Sequence, residues 1–154
     1  MPEAPAIGEY AFDFNLPSTR GPIQLSALLK DGAVLLVFYP QDRTLVCTRQ
    51  LCNYRDNLSA FEEFDVQIVG VNANSLDSHI AFSKKYDYPF PLVSDEDRRV
   101  CHAYGALLDL FQLRRHLVLV GEDGRVWWRH SEYRIWFRKA AELHEIIEEL
   151  RGDR

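Results

Sequence analysis

No stretch of this 154-residue chain is apolar for long enough to cross a bilayer. Runs such as Ala33-Val34-Leu35-Leu36-Val37-Phe38-Tyr39 stop after a few residues, whereas a spanning helix needs about 20. A basic excess is also missing, with 18 Lys and Arg against 23 Asp and Glu and a net charge of -5. Scattered cations of this kind form no stripe for a phosphate backbone, so nucleic acid is not an expected partner. Cysteine is scarce and odd in number, at three, which argues for reactive or core thiols and against a disulfide framework. Cys101-His102 has no second Cys/His pair at ligand spacing, so it is weak as half of a zinc site. The start, Met1-Pro2-Glu3-Ala4-Pro5, lacks a basic segment followed by an apolar one. It reads as having no secretory signal, and a cytoplasmic location is expected.

The chain has 47% apolar and 27% charged residues, ordinary for a soluble domain. Its length suits one domain, residues 1–154, able to bury roughly two-thirds of the surface of its unfolded form. Alternation in Tyr10-Ala11-Phe12-Asp13-Phe14-Asn15-Leu16 predicts a half-buried strand closed by Pro17. Leu25 to Leu29 reads as a helical turn, Ala33 to Tyr39 as a buried strand, and Cys47 to Phe64 as one helix with an apolar face of Leu51, Tyr54, Leu58, Phe61 and Phe64. A strand over Val66 to Val71 and a helix over Leu76 to Tyr86 capped by Ser75 follow. The prolines in Tyr88 to Val93 leave room only for a short edge strand. Asp95 can cap a helix running through Tyr104 and stopped by Gly105. His116 to Val120 and Arg125 to Trp128 flank an Asp123-Gly124 turn and read as a hairpin. Arg138 to Leu150 is amphipathic. Strands alternating with helices, with one late antiparallel hairpin, predict an α/β fold: a three-layer α/β/α sandwich on a mixed central sheet.

The most informative segment is Phe38-Tyr39-Pro40-Gln41-Asp42-Arg43-Thr44-Leu45-Val46-Cys47-Thr48-Arg49-Gln50-Leu51-Cys52. It joins a buried strand to an amphipathic helix and puts Cys47 in the first helical turn. Spare backbone N–H groups and the positive end of the helix dipole favour thiolate over thiol there.

The spacing Pro40-x3-Thr44-x2-Cys47 resembles the active-site signature of the peroxiredoxins, thiol peroxidases with a thioredoxin-like fold. Cys52, five residues after Cys47, makes it similar to the Q-type members, also called bacterioferritin comigratory proteins. The likeness runs from Gly8 to Leu16 at one end to Arg115 to Val126 at the other. Leu45 stands where family members often have proline. The resemblance implies reduction of hydrogen peroxide and organic hydroperoxides. Cys47 is then the attacking thiolate and Cys52 the resolving cysteine, forming an intramolecular disulfide that a thioredoxin-type dithiol recycles. Thr44 would bond the peroxide and the sulfur, Pro40 would shield the site, and the Val46 and Cys47 N–H groups would hold the peroxide oxygens. It places Arg115 beside the sulfur, although Arg114 is adjacent and only one of two consecutive strand residues can point inward. A monomer with no metal and no bound cofactor is expected on the same basis.

Two other functions fit a thioredoxin-like chain. A disulfide oxidoreductase typically carries C-x-x-C, whereas the spacing here is C-x4-C. A non-catalytic binding module would use its cysteines for packing. Cys101, on a predicted helix face, reads as a core residue. His79, His116, His130 and His144 form no visible constellation, and Trp127, Trp128 and Trp136 read as core and rim aromatics.

Overall fold

The computed structural model describes residues 4–132 and 136–152. Met1 to Glu3, where the absence of a secretory start was read, lie outside the described residues. Short strands β1 (Asn15–Leu16) and β2 (Ile23–Gln24) pair antiparallel and lead into α1 (Leu25–Leu28). Strand β3 (Ala33–Phe38) precedes α2 (Leu45–Asp56) and α3 (Ser59–Glu62). Then come β4 (Val66–Asn72), α4 (Leu76–Tyr86), β5 (Leu92–Ser94) and α5 (Arg99–Ala103). The hairpin β6 (Arg115–Val120) and β7 (Val126–Glu132) and the helix α6 (Ala140–Gly152) complete the order.

Five strands form one sheet in the order β5-β4-β3-β6-β7. β3, β4 and β5 run parallel, while β6 pairs antiparallel with both β3 and β7, so the sheet is mixed as expected. β3 is central and buried at every position, which is why its sequence is an unbroken apolar run. Its side chains alternate between two cores. Ala33, Leu35, Val37 and Tyr39 face a core shared with α2, α3, α4 and α6, including Cys47, Leu51, Tyr54, Phe61, Phe82 and Leu143. Val34, Leu36 and Phe38 face the other core, with Phe14, Leu25, Cys101 and Tyr104.

Several boundaries differ from the sequence reading, each for an identifiable physical reason. The helix expected over Cys47 to Phe64 breaks at Asn57, whose backbone leaves helical angles (φ -124, ψ 33). The Asn57 side chain donates to the Asn53 carbonyl at 2.8 Å, taking the acceptor that its own N–H would use in a continuing helix. The strand expected over Tyr10 to Leu16 shrinks to its last two residues, because Tyr10 meets only an isolated bridge to Arg125. Tyr10 lies exposed under the Arg125 guanidinium, with Phe14 buried and Phe12 and Leu16 half-buried. Pro89 and Pro91 offer no N–H, and the edge strand begins only at Leu92. Asp95 is not the N-cap of α5, a position that Arg98 takes without a side-chain bond, but its carboxylate accepts from the Val100 and Cys101 N–H groups of the first turn at 3.3 and 2.7 Å. A turn through left-handed Arg98 (φ 61) delays that helix to Arg99. The last helix starts at Ala140, not Arg138, and its first N–H is capped from outside by Asn53 Oδ1 at 2.8 Å. Ser75 caps α4 as read, accepting from the Ser78 N–H at 3.1 Å. Gly124, at φ 82, takes the left-handed turn position between β6 and β7.

Candidate active site

β3 delivers the chain to Tyr39, and residues 40–44 carry it over the sheet end into α2. Two devices hold this loop. Arg43 sits at φ 66, a left-handed position for a residue with a side chain. Asp42 beside it is an anchor. Its backbone N–H donates to Asn74 Oδ1 at 2.7 Å, and its carboxylate accepts from Tyr39 Oη at 2.6 Å, Ser78 Oγ at 2.8 Å and Asn72 Nδ2 at 3.2 Å. His79 Nδ1 lies 2.7 Å from Asp42 Oδ2, and its Nε2 lies 3.0 Å from the Val93 carbonyl. Burial pushes the Asp42 carboxyl up, but the bonds from His79, Tyr39 and Ser78 outweigh it and leave its pKa below the ordinary value. Burial, with Asp42 beside it, raises the Tyr39 phenol well above its usual range, so it stays a donor. His79, which the sequence left in no constellation, is thus paired with the loop that leads to Cys47. The signal was a polar Asp in that loop and a His on the inner face of α4.

Thr44 is the N-cap residue of α2, yet its side chain makes no capping bond. It is exposed, and its hydroxyl donates to the Gln41 carbonyl at 3.3 Å. Cys47 follows in the first turn, fully buried. In an α-helix the N–H groups of Leu45, Val46 and Cys47 have no carbonyl behind them within the helix.

Arg115, at the start of β6, reaches the sulfur from the sheet. Its Nη2 and Nη1 lie 3.3 and 3.4 Å from Cys47 Sγ. The alternation of β6 decides between the two arginines. Arg115 shares a face with Leu117 and Leu119, which belong to the core of Cys47 and Leu51. Arg114 lies on the other side, half-buried, and adds positive charge near His116 and Arg129. Arg115 is 1% exposed despite its charge, so its bonds must replace water. Nη1 also donates to Gln50 Oε1 at 2.6 Å. Gln50 Nε2 in turn donates to Tyr54 Oη at 3.1 Å, and Tyr54 Oη donates to the Arg138 carbonyl at 2.7 Å. Gln50 and Tyr54 are fully buried. The sequence reading missed Gln50, although it stands three residues after Cys47 on the same helical face.

Pro40, Gln41, Thr44, Leu45, Val46 and Arg115 line a pocket of about 230 Å³. Pro40 and Thr44 form its walls, Leu45 projects at its mouth, and Arg115 belongs both to the lining and to the sulfur's surroundings. A thiol in the first turn of a helix, held against two guanidinium donors of an arginine that also lines a small pocket, can deliver sulfur to an electrophile and stabilise charge on the group that leaves.

Cys52 is half-buried on the same helix, its Sγ 3.6 Å from Tyr88 Oη. Residues five apart on a helix have Cα atoms about 8.7 Å apart, beyond the 4.4–6.8 Å or so of a disulfide. All three cysteines are free thiols. Cys101 lies across the sheet in the other core, where burial and Asp95 push its thiol well above the usual value. Trp127 is buried, and Trp136 is exposed on the rim. Among the described residues no group of three His, Cys, Asp or Glu side chains is arranged for a metal ion, and no helix is long and apolar enough to cross a membrane.

A thioredoxin-like sheet that presents a buried thiol to an arginine defines a thiol-dependent redox protein. Residues 7–129 match the model of the AhpC/TSA family. A Coxiella burnetii protein named for the bcp peroxiredoxins is 38% identical over 125 residues, covering 77% of this chain and 83% of that one. Chloroplastic peroxiredoxin Q of Sedum lineare is 41% identical over 99 residues, 64% of this chain and 53% of that one. The chain thus spans about half the length of that plant relative. The crystal structure of peroxidoxin BcpB from Mycobacterium tuberculosis superposes with a TM-score of 0.84 at 30% identity, covering 97% of this chain and 99% of that one. The chain belongs to the AhpC/TSA family, and within it to the peroxiredoxins of the bacterioferritin comigratory and Q kind.

Proposed function

We propose that this peroxiredoxin reduces hydrogen peroxide and organic hydroperoxides with Cys47 as the attacking thiolate and Cys52 as the resolving thiol. The observation that carries the reading is the pair of Arg115 nitrogens at 3.3 and 3.4 Å from Cys47 Sγ, at a pocket walled by Pro40 and Thr44. The sulfur attacks the terminal oxygen of the hydroperoxide, the O–O bond breaks, and the oxygen stays on Cys47 as a sulfenic acid while the other fragment leaves as alcohol or water. Arg115 and the Val46 and Cys47 N–H groups supply donors to the oxygens as charge moves onto the leaving one. The Thr44 hydroxyl needs only to turn from Gln41 to join them. A published structure of the Xanthomonas campestris bacterioferritin comigratory protein concerns its alkyl peroxide reduction activity, which favours organic hydroperoxides here, as does the exposed Leu45 at the pocket mouth.

Cys52 then attacks the Cys47 sulfur, expelling water and leaving a disulfide. The 8.7 Å or so between the two Cα atoms requires the first turns of α2 to unwind first. That exposes the disulfide to a thioredoxin-type dithiol, which restores both thiols. Residues 1–154 act as one catalytic domain, a monomer in the cytoplasm.

The test is intact mass and peptide mapping of the reduced protein after one equivalent of hydrogen peroxide, with remaining thiols blocked. Loss of two hydrogens with a Cys47–Cys52 link is expected. Oxygen retained at Cys47 alone would remove Cys52 as resolver, and an unmodified Cys47 would overturn the reading.

A further inference from the structure

The half of α2 that carries Cys52 is tied to one short, stiff segment. Cys52 Sγ meets Tyr88 Oη at 3.6 Å, and Arg55 Nη1 donates to the Tyr86 carbonyl at 2.6 Å. Asp87 ends α4 in the left-handed conformation (φ 52), and Pro89 and Pro91 fix two further backbone angles. The rings along the segment stack: Tyr86 on Tyr88 at 5.8 Å and Tyr88 on Phe90 at 5.4 Å, with Phe82 edge-on to Tyr88 at 5.2 Å. Tyr88 is 3% exposed. A residue held this firmly has one polar atom, and that atom is turned to the half-buried thiol of Cys52.

We propose that Tyr88 is the positioning residue of the resolving step: its hydroxyl holds Cys52 in the wound helix and sets how the Cys47 sulfenic acid divides between disulfide and sulfinic acid. The proposal rests on the reading of Cys47 as attacking and Cys52 as resolving thiol. The sulfenic acid has two fates. In one, the Cys52 sulfur attacks the Cys47 sulfur, the S–O bond breaks, and the hydroxyl leaves as water with the Cys52 proton. In the other, a second hydroperoxide transfers an oxygen to the sulfenic sulfur and leaves as alcohol or water, giving the sulfinic acid. The second fate needs no movement of the protein, whereas the first needs α2 to open. A contact present only in the wound helix lowers the open fraction, and with it the rate of the first fate alone. Burial holds the Tyr88 phenol well above its usual pKa, so it keeps its proton and can donate to the sulfur.

The experiment compares the wild type, Tyr88→Phe and Tyr86→Phe. Tyr86→Phe removes a hydroxyl from the same ring stack that makes no bond to α2 among the described residues. Reduced protein is mixed with excess hydrogen peroxide, quenched in acid at intervals, and its Cys47 thiol, sulfenic, disulfide and sulfinic forms are counted by mass spectrometry. In Tyr88→Phe the Cys47 thiol should disappear at the wild-type rate, which also certifies a folded site. The disulfide should then form about threefold faster, the scale of one weak hydrogen bond, with proportionately less sulfinic acid at high peroxide. Tyr86→Phe should match the wild type. Disulfide formation in Tyr88→Phe at the wild-type rate or slower overturns the proposal while leaving the peroxidase reading intact. Absence of a Cys47–Cys52 disulfide in the wild type instead removes the reading beneath it. Should Tyr88→Phe fail to fold, 3-fluorotyrosine placed at position 88 keeps the ring and makes the hydroxyl a stronger donor, and a disulfide that forms no slower there overturns the proposal equally.

Discussion

Asp42 Oδ2 lies 2.7 Å from His79 Nδ1, with the two side chains 2% and 0% exposed. This bond joins the loop before Cys47 to α4, and the Tyr39, Ser78 and Asn72 bonds to the same carboxylate leave it little freedom. Removing the carboxylate leaves Tyr39 Oη and His79 Nδ1 buried without the acceptor they share, which costs about 3 kcal/mol or more. Asp42→Ala is therefore expected to lower the unfolding free energy from urea titration at pH 7 by that amount. The folded carboxyl has a lowered pKa, so its contribution is full above the ordinary carboxylate value and is lost as pH falls through the folded one. The gap between wild type and Asp42→Ala should thus narrow below about pH 4. A gap that holds constant down to pH 2 would show that the charge of Asp42 is not what stabilises the loop.

Arg115→Met should slow the reaction of Cys47 with hydrogen peroxide by about 10²-fold or more, the scale of removing a preorganised donor. Arg114→Met, on the opposite side of β6, should leave it within about twofold. Stopped-flow measurement of thiol loss at pH 7 separates the two, and equal losses would show that the strand alternation misassigns the site arginine.

Gln50 fixes Arg115 through a 2.6 Å bond and is itself fixed by Tyr54. Gln50→Leu keeps the helix and nearly the volume but removes the short bond that orients Arg115 Nη1. A loss of about tenfold in the peroxide rate is expected, alongside a lowered thermal midpoint. An unchanged rate in a destabilised protein would confine Gln50 to structure.

His116 is 3% exposed, with Ser131 Oγ 2.8 Å from its Nδ1 and Arg129 Nη2 3.2 Å from its Nε2. Since Arg129 can only donate, Nε2 accepts and the ring is neutral, with Nδ1–H donating to Ser131. Burial first, then the charges of Arg129 and Arg114, lower its pKa to about 3. The unfolded chain takes up this proton near pH 6.5, the folded one only near pH 3. His116 stability is thus present above pH 6.5 and lost progressively down to pH 3, at no more than about 1.4 kcal/mol per pH unit. Denaturant titrations of wild type and His116→Asn over pH 7 to 4 should show a shallower loss in the variant. Parallel curves would place the acid sensitivity elsewhere.

Much of this architecture was legible in the linear chain because its physical causes are local. The unbroken apolar run of β3 marks a strand covered on both faces, Ser75 marks a helix start, and Asp123-Gly124 marks the hairpin. Local rules failed where a side-chain bond to the backbone intervened. The Asn57 side chain broke a helix whose apolar periodicity continued, and Asn53 capped α6 from a helix more than eighty residues away. Neither event leaves a mark on the hydrophobic pattern.

The sequence by itself determined where the candidate site stands: a cysteine at a strand-to-helix junction, with Pro40 and Thr44 before it and Cys52 after it. Chain connectivity and helix-start chemistry act over a few residues, so spacing is enough to specify them. Only the tertiary structure decided which arginine meets the sulfur, which side chain orients that arginine, and what holds Cys52. Those pairings, Arg115 with Cys47 and Gln50 and Tyr88 with Cys52, depend on strand register and helix docking. Both are set by burial of two cores drawn from the whole chain, and no local window contains them.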